Sequence, residues 1–185
     1  MKKYGLLKYL PNSYYNDIFH IPYKDYLDRG IKIIFFDLDN TIADYETHSP
    51  DELVLDLFNK LKKNGFTLFI LSNNHKKRVF NFGSALDSIS FHSLAKPFKN
   101  RINKYIHKYN INKDEVLWIG DQIVTDIALS NKLGILSILV DPINPKTEKW
   151  YTKINRFFER ILVNRINKKY NDEFIELGLN KRWKK

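Results

Sequence analysis

The sequence predicts an α/β domain built on a parallel sheet with flanking helices. Between residues 31 and 140, short apolar runs alternate with amphipathic segments, which is the pattern of strands and helices in a parallel α/β sheet. The chain has 185 residues, 43% of them hydrophobic and 15% aromatic, enough for one core of ordinary size. We therefore expect a single domain over residues 1–185, with its main part at 31–140 and a basic helical segment at 146–185.

The first predicted strand covers residues 31–36, a run that is apolar apart from Lys32 and typical of a strand covered on both faces. A helix is predicted from about Pro50, with Ser49 as its N-cap and Pro50 in its first turn. Asn64 and Gly65 end this helix. Its predicted buried face consists of three leucines spaced four residues apart: Leu53, Leu57 and Leu61.

The remaining elements follow the same alternation. Further strands are predicted at residues 66–71, 88–91, 115–119 and 135–140. Helices are predicted from His75, over 98–109 and over 126–133, the last of these terminated by Gly134.

Composition excludes several kinds of site. The chain has no cysteine, so disulfides, thiolate nucleophiles and cysteine-based zinc sites are excluded, and any metal must be held by oxygen or imidazole. No apolar run approaches the roughly 18–20 residues of a transmembrane helix. The net charge of +10 either favours anionic partners or reflects a codon bias toward lysine and asparagine.

Two carboxylates follow the first predicted strand. Asp37 and Asp39 are two residues apart, so on an extended backbone both side chains project from the same face. The C-terminal edge of an open α/β sheet is where ligands bind. One carboxylate can attack a phosphorus atom while the other supplies or removes a proton. The alternative is that both are ordinary turn or capping residues.

A second acidic group follows the strand at 115–119. Asp121 and Asp126 would add hard oxygen ligands, which suit Mg²⁺ shared with a substrate phosphate. Clustered acids without a cation would repel each other and the substrate. Asp126 could instead be the N-cap of the following helix.

Three further residues could receive a phosphate. Ser72 and Asn73 follow the strand at 66–71, where a hydroxyl and backbone amides can bind phosphate oxygens. Lys96 could neutralise the same phosphate. Each of these signals is weak when taken alone.

Taken in order, DLDNT, LSNN, a lysine before proline and GDQIVTD resemble the four motifs of the haloacid dehalogenase-like hydrolase superfamily, over about residues 31–140. The resemblance implies a Rossmann-like fold and a phosphatase, because Asp39 is a carboxylate as in the phosphatase members. It implies that Asp37 is the nucleophile, that Asp39 is the acid/base, and that Thr41, Ser72 and Lys96 hold the site and the phosphate. Mg²⁺ would be bound by Asp37, by Asp121 and by the backbone carbonyl of Asp39, with Asp126 in support.

The flanks of these motifs bear on the substrate. The intervals in which the superfamily carries cap domains are short here, so we expect a capless, open site suited to a bulky or surface-presented phosphate. Residues 146–185 contain 12 Lys and Arg against five Asp and Glu. At helical spacing within them lie Trp150, Ile154, Phe157, Ile161 and Ile166. This stripe either rests on anionic lipid, with basic residues such as Arg156 beside it, or packs on the domain.

The whole arrangement, including LLKYLPNSYYNDIFHI before the first motif, closely resembles the small capless YqeG-type branch of the superfamily (subfamily IIIA), similar to phosphatases of phosphatidylglycerophosphate. The resemblance implies a cytoplasmic protein that makes phosphatidylglycerol at the cytoplasmic membrane face, in peripheral contact with anionic phospholipid headgroups. The alternatives are a soluble phosphomonoesterase for nucleotides or phosphosugars and a basic RNA-binding module. The ordered acidic set argues against nucleic acid, since binding alone does not need it.

Overall fold

A computed structural model describes residues 5–148 and 150–182 of the protein. Its strands form one six-stranded sheet in the order β1-β6-β5-β2-β3-β4, and every neighbouring pair is parallel. The strands are β1 (Ser13–Tyr15), β2 (Ile33–Phe36), β3 (Thr67–Leu71), β4 (Ile89–Phe91), β5 (Val116–Gly120) and β6 (Leu136–Val140). The predicted α/β class and parallel sheet are confirmed.

Helices flank the sheet on both sides. The α-helices of the described residues are α1 (Tyr23–Asp28), α2 (Glu52–Lys63), α3 (Lys76–Ala85), α4 (Lys99–Lys108), α5 (Ala128–Leu133), α6 (Trp150–Lys169), α7 (Asn171–Glu176) and α8 (Leu179–Arg182). Short 3₁₀ turns occur at Gly5–Tyr9, Ile18–His20, Lys113–Glu115 and Pro145–Thr147, and a π-helical turn, Ile123–Ile127, precedes α5. Between β2 and α2, and between β3 and the lysine motif, the described chain carries no inserted domain, so the protein is capless as predicted.

The strand register brings three strand ends to one level. Phe36, the last residue of β2, is paired with Ile70 of β3 and Ile119 of β5. The residues that follow these three strands therefore meet at one edge of the sheet, as expected for parallel strands. This register places Asp37, Ser72 and Asp121 close together.

Both faces of the sheet are covered. On one face Ile34 and Phe36 join a core cluster with Phe58 of α2, and on the other Phe35 joins a cluster with Trp118. Successive residues of β2 point to opposite faces, and all four of these side chains in the central strands are at most 1% exposed. The apolar run at 33–36 is explained by this double burial.

The edge strand β1 was not predicted from the sequence. It contains only three residues and pairs with β6, with Ser13 opposite Ile138. All three of its residues are half-buried, so they show neither an apolar run nor an alternation that periodicity could detect. The predicted count of five strands was therefore one too low.

The start of α2 differs from the prediction. Its N-cap is Asp51, whose carboxylate accepts a 2.8 Å hydrogen bond from the N–H of Val54, so the assignment of Ser49 was wrong. The later start also changes the buried face, and Leu53 is 67% exposed. The residues of α2 that enter the core are Val54, Phe58 and Leu61.

The C-terminal helices pack beside β6 and the π-helical turn. Val163 and Ile166 of α6 and Phe174 of α7 share a cluster with Ile127 and Leu139. Residues 149 and 183–185 of the predicted C-terminal segment lie outside the described residues. None of the helices in the described part of the chain has the length and hydrophobicity needed to span a bilayer.

The apolar stripe predicted for α6 is divided between two faces. Ile166 is 1% exposed, as is Glu159, whereas the other four members of the stripe point outward. Their exposed fractions are 73% for Trp150, 47% for Ile154, 62% for Phe157 and 41% for Ile161. The alternative that the stripe packs on the domain is therefore wrong for four of its five residues.

Candidate active site

A buried lysine joins two of the predicted acids. The ammonium of Lys96 donates to Asp37 Oδ1 over 2.5 Å and to Asp126 Oδ1 over 2.7 Å. Asn73 holds the backbone of Lys96, since its Oδ1 accepts from the Lys96 N–H at 2.7 Å and its Nδ2 donates to the Lys96 carbonyl at 3.2 Å. The side chain of Asn73 thus orients Lys96, in addition to lining the pocket.

The carboxylate of Asp39 is held by three side chains. It accepts from Ser72 Oγ at 3.0 Å, from Asn74 Nδ2 at 3.1 Å and from Arg78 Nε at 2.8 Å. Arg78 also donates to the carbonyls of Asp44 and Thr47, at 2.6 Å and 2.5 Å. Arg78 therefore fixes Asp39 and, at the same time, the loop after the first motif.

Asp121 lies where β5 meets α6. It is fully buried, its carboxylate accepts from the guanidinium of Arg156, and Thr41 Oγ1 lies 3.5 Å from it. Arg156 also pairs with Glu148 and Glu159 and donates to the Asp121 carbonyl at 2.9 Å. Arg156 was expected beside the apolar stripe, on lipid or in water; it instead belongs to the site.

Asp126 is packed against the strand that precedes it. It lies inside the π-helical turn and the N-cap of α5 is Ile127, so the N-cap alternative for Asp126 was wrong. A Cβ at Gly120 would lie 2.5 Å from Asp126 Cγ. Two carbon atoms cannot approach this closely, so a larger residue at this position would require Asp126 or the backbone to move. Glycine at this position is what allows Asp126 to reach Lys96.

Burial dominates the electrostatics of these groups. It raises the pKa of Asp37 well above its usual range, with Lys96 opposing this effect and Asp126, Asp121 and Asp39 adding to it. Burial also raises the pKa of Asp121 to about 6, although the Arg156 charge lowers it. Desolvation alone would lower the pKa of Lys96, but the carboxylates of Asp126 and Asp37 outweigh it and raise that pKa.

The acids converge as a metal site requires. Asp37, Asp121 and Asp126 each offer a carboxylate oxygen, and the three oxygens lie within 4.8 Å of one another. Burial raises the pKa values of Asp37 and Asp121, and a cation would remove the repulsion among the clustered carboxylates. An all-oxygen donor set without cysteine or histidine fits a hard divalent cation such as Mg²⁺. The carboxylate of Asp39 is turned to Ser72, Asn74 and Arg78 instead.

The pocket over these residues is small and partly formed by α6. Its volume is about 50 Å³, and Thr152 and Asn155 of α6 line it together with Asp37, Asp39 and Lys96. Tyr45 and Asn74 line both this pocket and a second cavity of about 570 Å³, whose other lining residues are His48, His75, Lys77, Arg78 and Asn81. The site is therefore capless, but it is narrowed by the C-terminal helix.

Sequence reasoning missed several polar residues of the site, among them Asn74, Arg78, Thr152 and Asn155. Asn74 is the last residue of the LSNN motif, although no role was predicted for it. Arg78 lies in the first turn of α3, and Thr152 and Asn155 lie on α6, where nothing in the sequence distinguishes them from surface residues. Only the packing of these helices brings them to the strand ends.

Comparisons with known proteins agree with this geometry. Residues 42–134, half of the chain, match the family model of haloacid dehalogenase-like hydrolases. The probable phosphatase YqeG of Bacillus subtilis (strain 168) is 29% identical over 161 residues, which cover 87% of this chain and 93% of that protein. These matches confirm the predicted resemblance.

Solved structures share the fold. A predicted HAD-like family hydrolase from Porphyromonas gingivalis superposes with a TM-score of 0.52 at 15% identity, over 70% of this chain and 98% of that one. An uncharacterized protein from Listeria monocytogenes serotype 4b gives 0.51 at 22% identity, over 63% and 81%. With the family match, the sheet topology and the converging acids, these similarities show that the chain is an enzyme belonging to the haloacid dehalogenase-like hydrolase family.

Proposed function

We propose that this hydrolase is a Mg²⁺-dependent phosphatase that works through an aspartyl-phosphate on Asp37. The observation that carries the proposal is the convergence of Asp37, Asp121 and Asp126, with Lys96 bound to two of them. A cluster of this kind suits a phosphate and a shared cation. The similarity to a probable phosphatase over most of both chains supports the same activity.

In the first step, a carboxylate oxygen of Asp37 attacks the phosphorus of a phosphomonoester, and the bond to the leaving oxygen breaks. Asp39 gives its proton to that oxygen, so the alcohol leaves neutral. In the second step Asp39 takes a proton from water, whose oxygen attacks the phosphorus and releases phosphate and free Asp37. The hydrogen bonds from Ser72, Asn74 and Arg78 keep the Asp39 carboxyl oriented for both transfers.

The remaining residues hold the reacting groups. Mg²⁺ would be held by Asp37, by Asp121 and by the backbone carbonyl of Asp39, with Asp126 in support. Bound there, it would neutralise charge on the phosphoryl oxygens and relieve repulsion among the acids. Lys96 fixes one oxygen of Asp37 and supplies positive charge to the phosphate. Asn73 lines the pocket beside it, and Ser72, which is fully buried, donates to Asp39. Thr41, which lies against Asp121, keeps that ligand in place.

For the substrate we propose phosphatidylglycerophosphate, which would be cleaved to phosphatidylglycerol at the cytoplasmic face of the membrane. A pocket of about 50 Å³ encloses little more than a phosphoryl group, so the rest of the substrate must stay outside it. The neighbouring cavity has no acidic lining residue among those described and carries Lys77 and Arg78. It can therefore receive an anionic headgroup.

We also propose that residues 1–185 act as one catalytic domain. Leu10 near the start of the described chain packs with Ile127 and with Ile166 of α6, and α6 supplies Thr152 and Asn155 to the pocket. Limited proteolysis tests this point. A stable, active fragment that lacks the region from residue 146 onward would contradict it.

Phosphate release tests the activity and the substrate together. Phosphatidylglycerophosphate in mixed micelles is compared with nucleotide and sugar monophosphates, with Mg²⁺ and with a chelator. We expect Mg²⁺-dependent release, fastest from the lipid, and its loss in Asp37→Asn and Asp39→Asn. Asp56→Asn, an exposed acid on α2, is the control. Equal or faster release from soluble monoesters would assign the soluble phosphatase function, and turnover by folded Asp37→Asn would reject Asp37 as the nucleophile.

A further inference from the structure

Helix α6 presents five large apolar side chains to solvent. We call this set the docking face: Trp150, Ile154, Phe157, Phe158 and Ile161, which are 41–73% exposed. At 100° per residue they fall within an arc of about 100° on one side of the helix. The opposite side carries Thr152, Glu159, Val163 and Ile166, all at most 3% exposed. The helix is thus packed on the domain by one side and shows a second apolar side to the surroundings.

The charges around the docking face have one sign. The exposed charged residues of α6 are Lys153, Arg160, Arg165, Lys168 and Lys169. The helix has one acidic residue, Glu159, which is buried and paired with Arg156. An exposed apolar strip bordered by basic residues is the pattern of a helix that lies in the interface of an anionic bilayer.

The docking face is close to the catalytic pocket. Thr152 and Asn155, which line that pocket, lie on the same helical turns as Ile154 and Phe157. A helix with its side chains is about 10–12 Å across, so the pocket is about one helix diameter from whatever covers the docking face. The headgroup layer of a bilayer is then within reach of the site.

We propose that the docking face binds the surface of an anionic phospholipid bilayer and holds the catalytic pocket at the headgroup layer. The proposal deepens the lipid phosphatase function and rests on it for its biological purpose. Ile154 and Ile161 favour lipid over nucleic acid, because aliphatic side chains gain free energy from the acyl boundary and have no stacking partner on a base. A second copy of the chain would bring the same basic borders face to face, which repels.

Vesicle sedimentation of the full chain tests this proposal. Vesicles of phosphatidylglycerol and phosphatidylcholine in equal parts are compared with phosphatidylcholine alone. We expect binding to the anionic vesicles only, and a loss of about tenfold or more in partition for Phe157→Ser/Phe158→Ser. Lys168→Gln should weaken anionic binding by about fivefold. Phe98→Ser removes an aromatic ring that is 69% exposed elsewhere on the surface and should bind as the wild type does.

Activity on a soluble aryl phosphate shows whether each variant is folded, and the double variant should keep it. Equal vesicle binding by the double variant, or none by the wild type, would overturn the docking face. So would a concentration-dependent dimer that the same substitutions abolish, or binding to single-stranded RNA in place of vesicles. Binding to anionic vesicles only, without hydrolysis of phosphatidylglycerophosphate, would uphold the docking face and reject the proposed substrate. Hydrolysis of phosphatidylglycerophosphate in micelles without vesicle binding would uphold the proposed substrate and reject the docking face.

Discussion

Arg78 lies against the carboxylate of Asp39, and its Nε donates to Asp39 Oδ1 over 2.8 Å although 39 positions separate the two residues. Both side chains are more than 90% buried. The other guanidinium nitrogens bind the carbonyls of Asp44 and Thr47. The proposed acid/base is therefore oriented by α3, and it is connected through the same arginine to the loop beside the pocket.

Replacing Arg78 should impair proton transfer more than phosphoryl transfer. We expect Arg78→Gln to lower kcat by about 10- to 100-fold on an alkyl phosphate, the size typical for loss of a residue that orients an active group. On p-nitrophenyl phosphate, whose leaving group needs little protonation, the loss should be smaller. Arg78→Lys keeps the positive charge but lacks the planar guanidinium with its several N–H donors. Its kcat should therefore lie between those of Arg78→Gln and the wild type. Equal losses on both substrates would show that Arg78 does not act through Asp39.

Arg156 neutralises a buried acidic cluster, so its removal should be costly to the fold. Without it, Asp121, Glu148 and Glu159 lose their shared cation. We expect Arg156→Gln to lower the free energy of unfolding by about 3 kcal/mol in urea titrations. The matched control is Arg160→Gln, one turn further along α6 and exposed, which should stay within about 0.5 kcal/mol of wild type. If the two variants were equally stable, the ion pairs of Arg156 would make no net contribution to the free energy of unfolding.

The difference between the acids and these arginines shows what the sequence can reveal about this site. Asp37 and Asp121 directly follow apolar strands, so the parallel sheet alone predicts that they meet. Arg78 and Arg156 reach the site from helices, and an arginine on a helix has the same local sequence whether it faces water or a buried acid. Their role depends on how α3 and α6 pack, which periodicity does not determine.

The same limit explains the error on α6. Helical spacing correctly places Trp150, Ile154, Phe157 and Ile161 on one side, but it does not show which side the domain covers. The side that the structure buries carries Val163 and Ile166 together with Glu159, whose carboxylate accepts from Arg156 and from the Val124 N–H. A charged residue of α6 is therefore buried while four large apolar residues are exposed, against the ordinary expectation.

Gly120 should be required for the geometry of Asp126. A Cβ there would lie 2.5 Å from Asp126 Cγ, so Gly120→Ala must move Asp126 away from Lys96. We expect a loss of stability of about 1–3 kcal/mol together with a large fall in kcat. Gly83→Ala makes a similarly close contact, with Ser90 of β4, and should destabilise the protein while the folded fraction keeps its kcat. A normal kcat in Gly120→Ala would mean that the position of Asp126 is not critical.

Asp121 should destabilise the metal-free fold at neutral pH. Burial raises its pKa from 3.8 to about 6 in the folded protein, so ionisation is harder in the folded state than in the unfolded state. Below pH 3.8 both states are protonated and there is no penalty; the penalty grows as pH rises and is complete above about pH 6. In a chelator at pH 7.5, Asp121→Asn should therefore be more stable than wild type, by about 1–3 kcal/mol, and the gain should vanish near pH 4.

Two comparisons make this result specific. Asp44 has a lowered pKa because Thr47 and backbone N–H groups bind its carboxylate, so Asp44→Asn should lose stability at pH 7.5 instead of gaining it. Added Mg²⁺ should raise the Tm of the wild type and leave that of Asp121→Asn nearly unchanged, because the variant lacks a ligand whose charge the cation offsets. If Asp121→Asn were less stable than wild type in the chelator, the attraction of Arg156 would outweigh burial at this position. An equal rise in Tm for both proteins would place the cation away from Asp121.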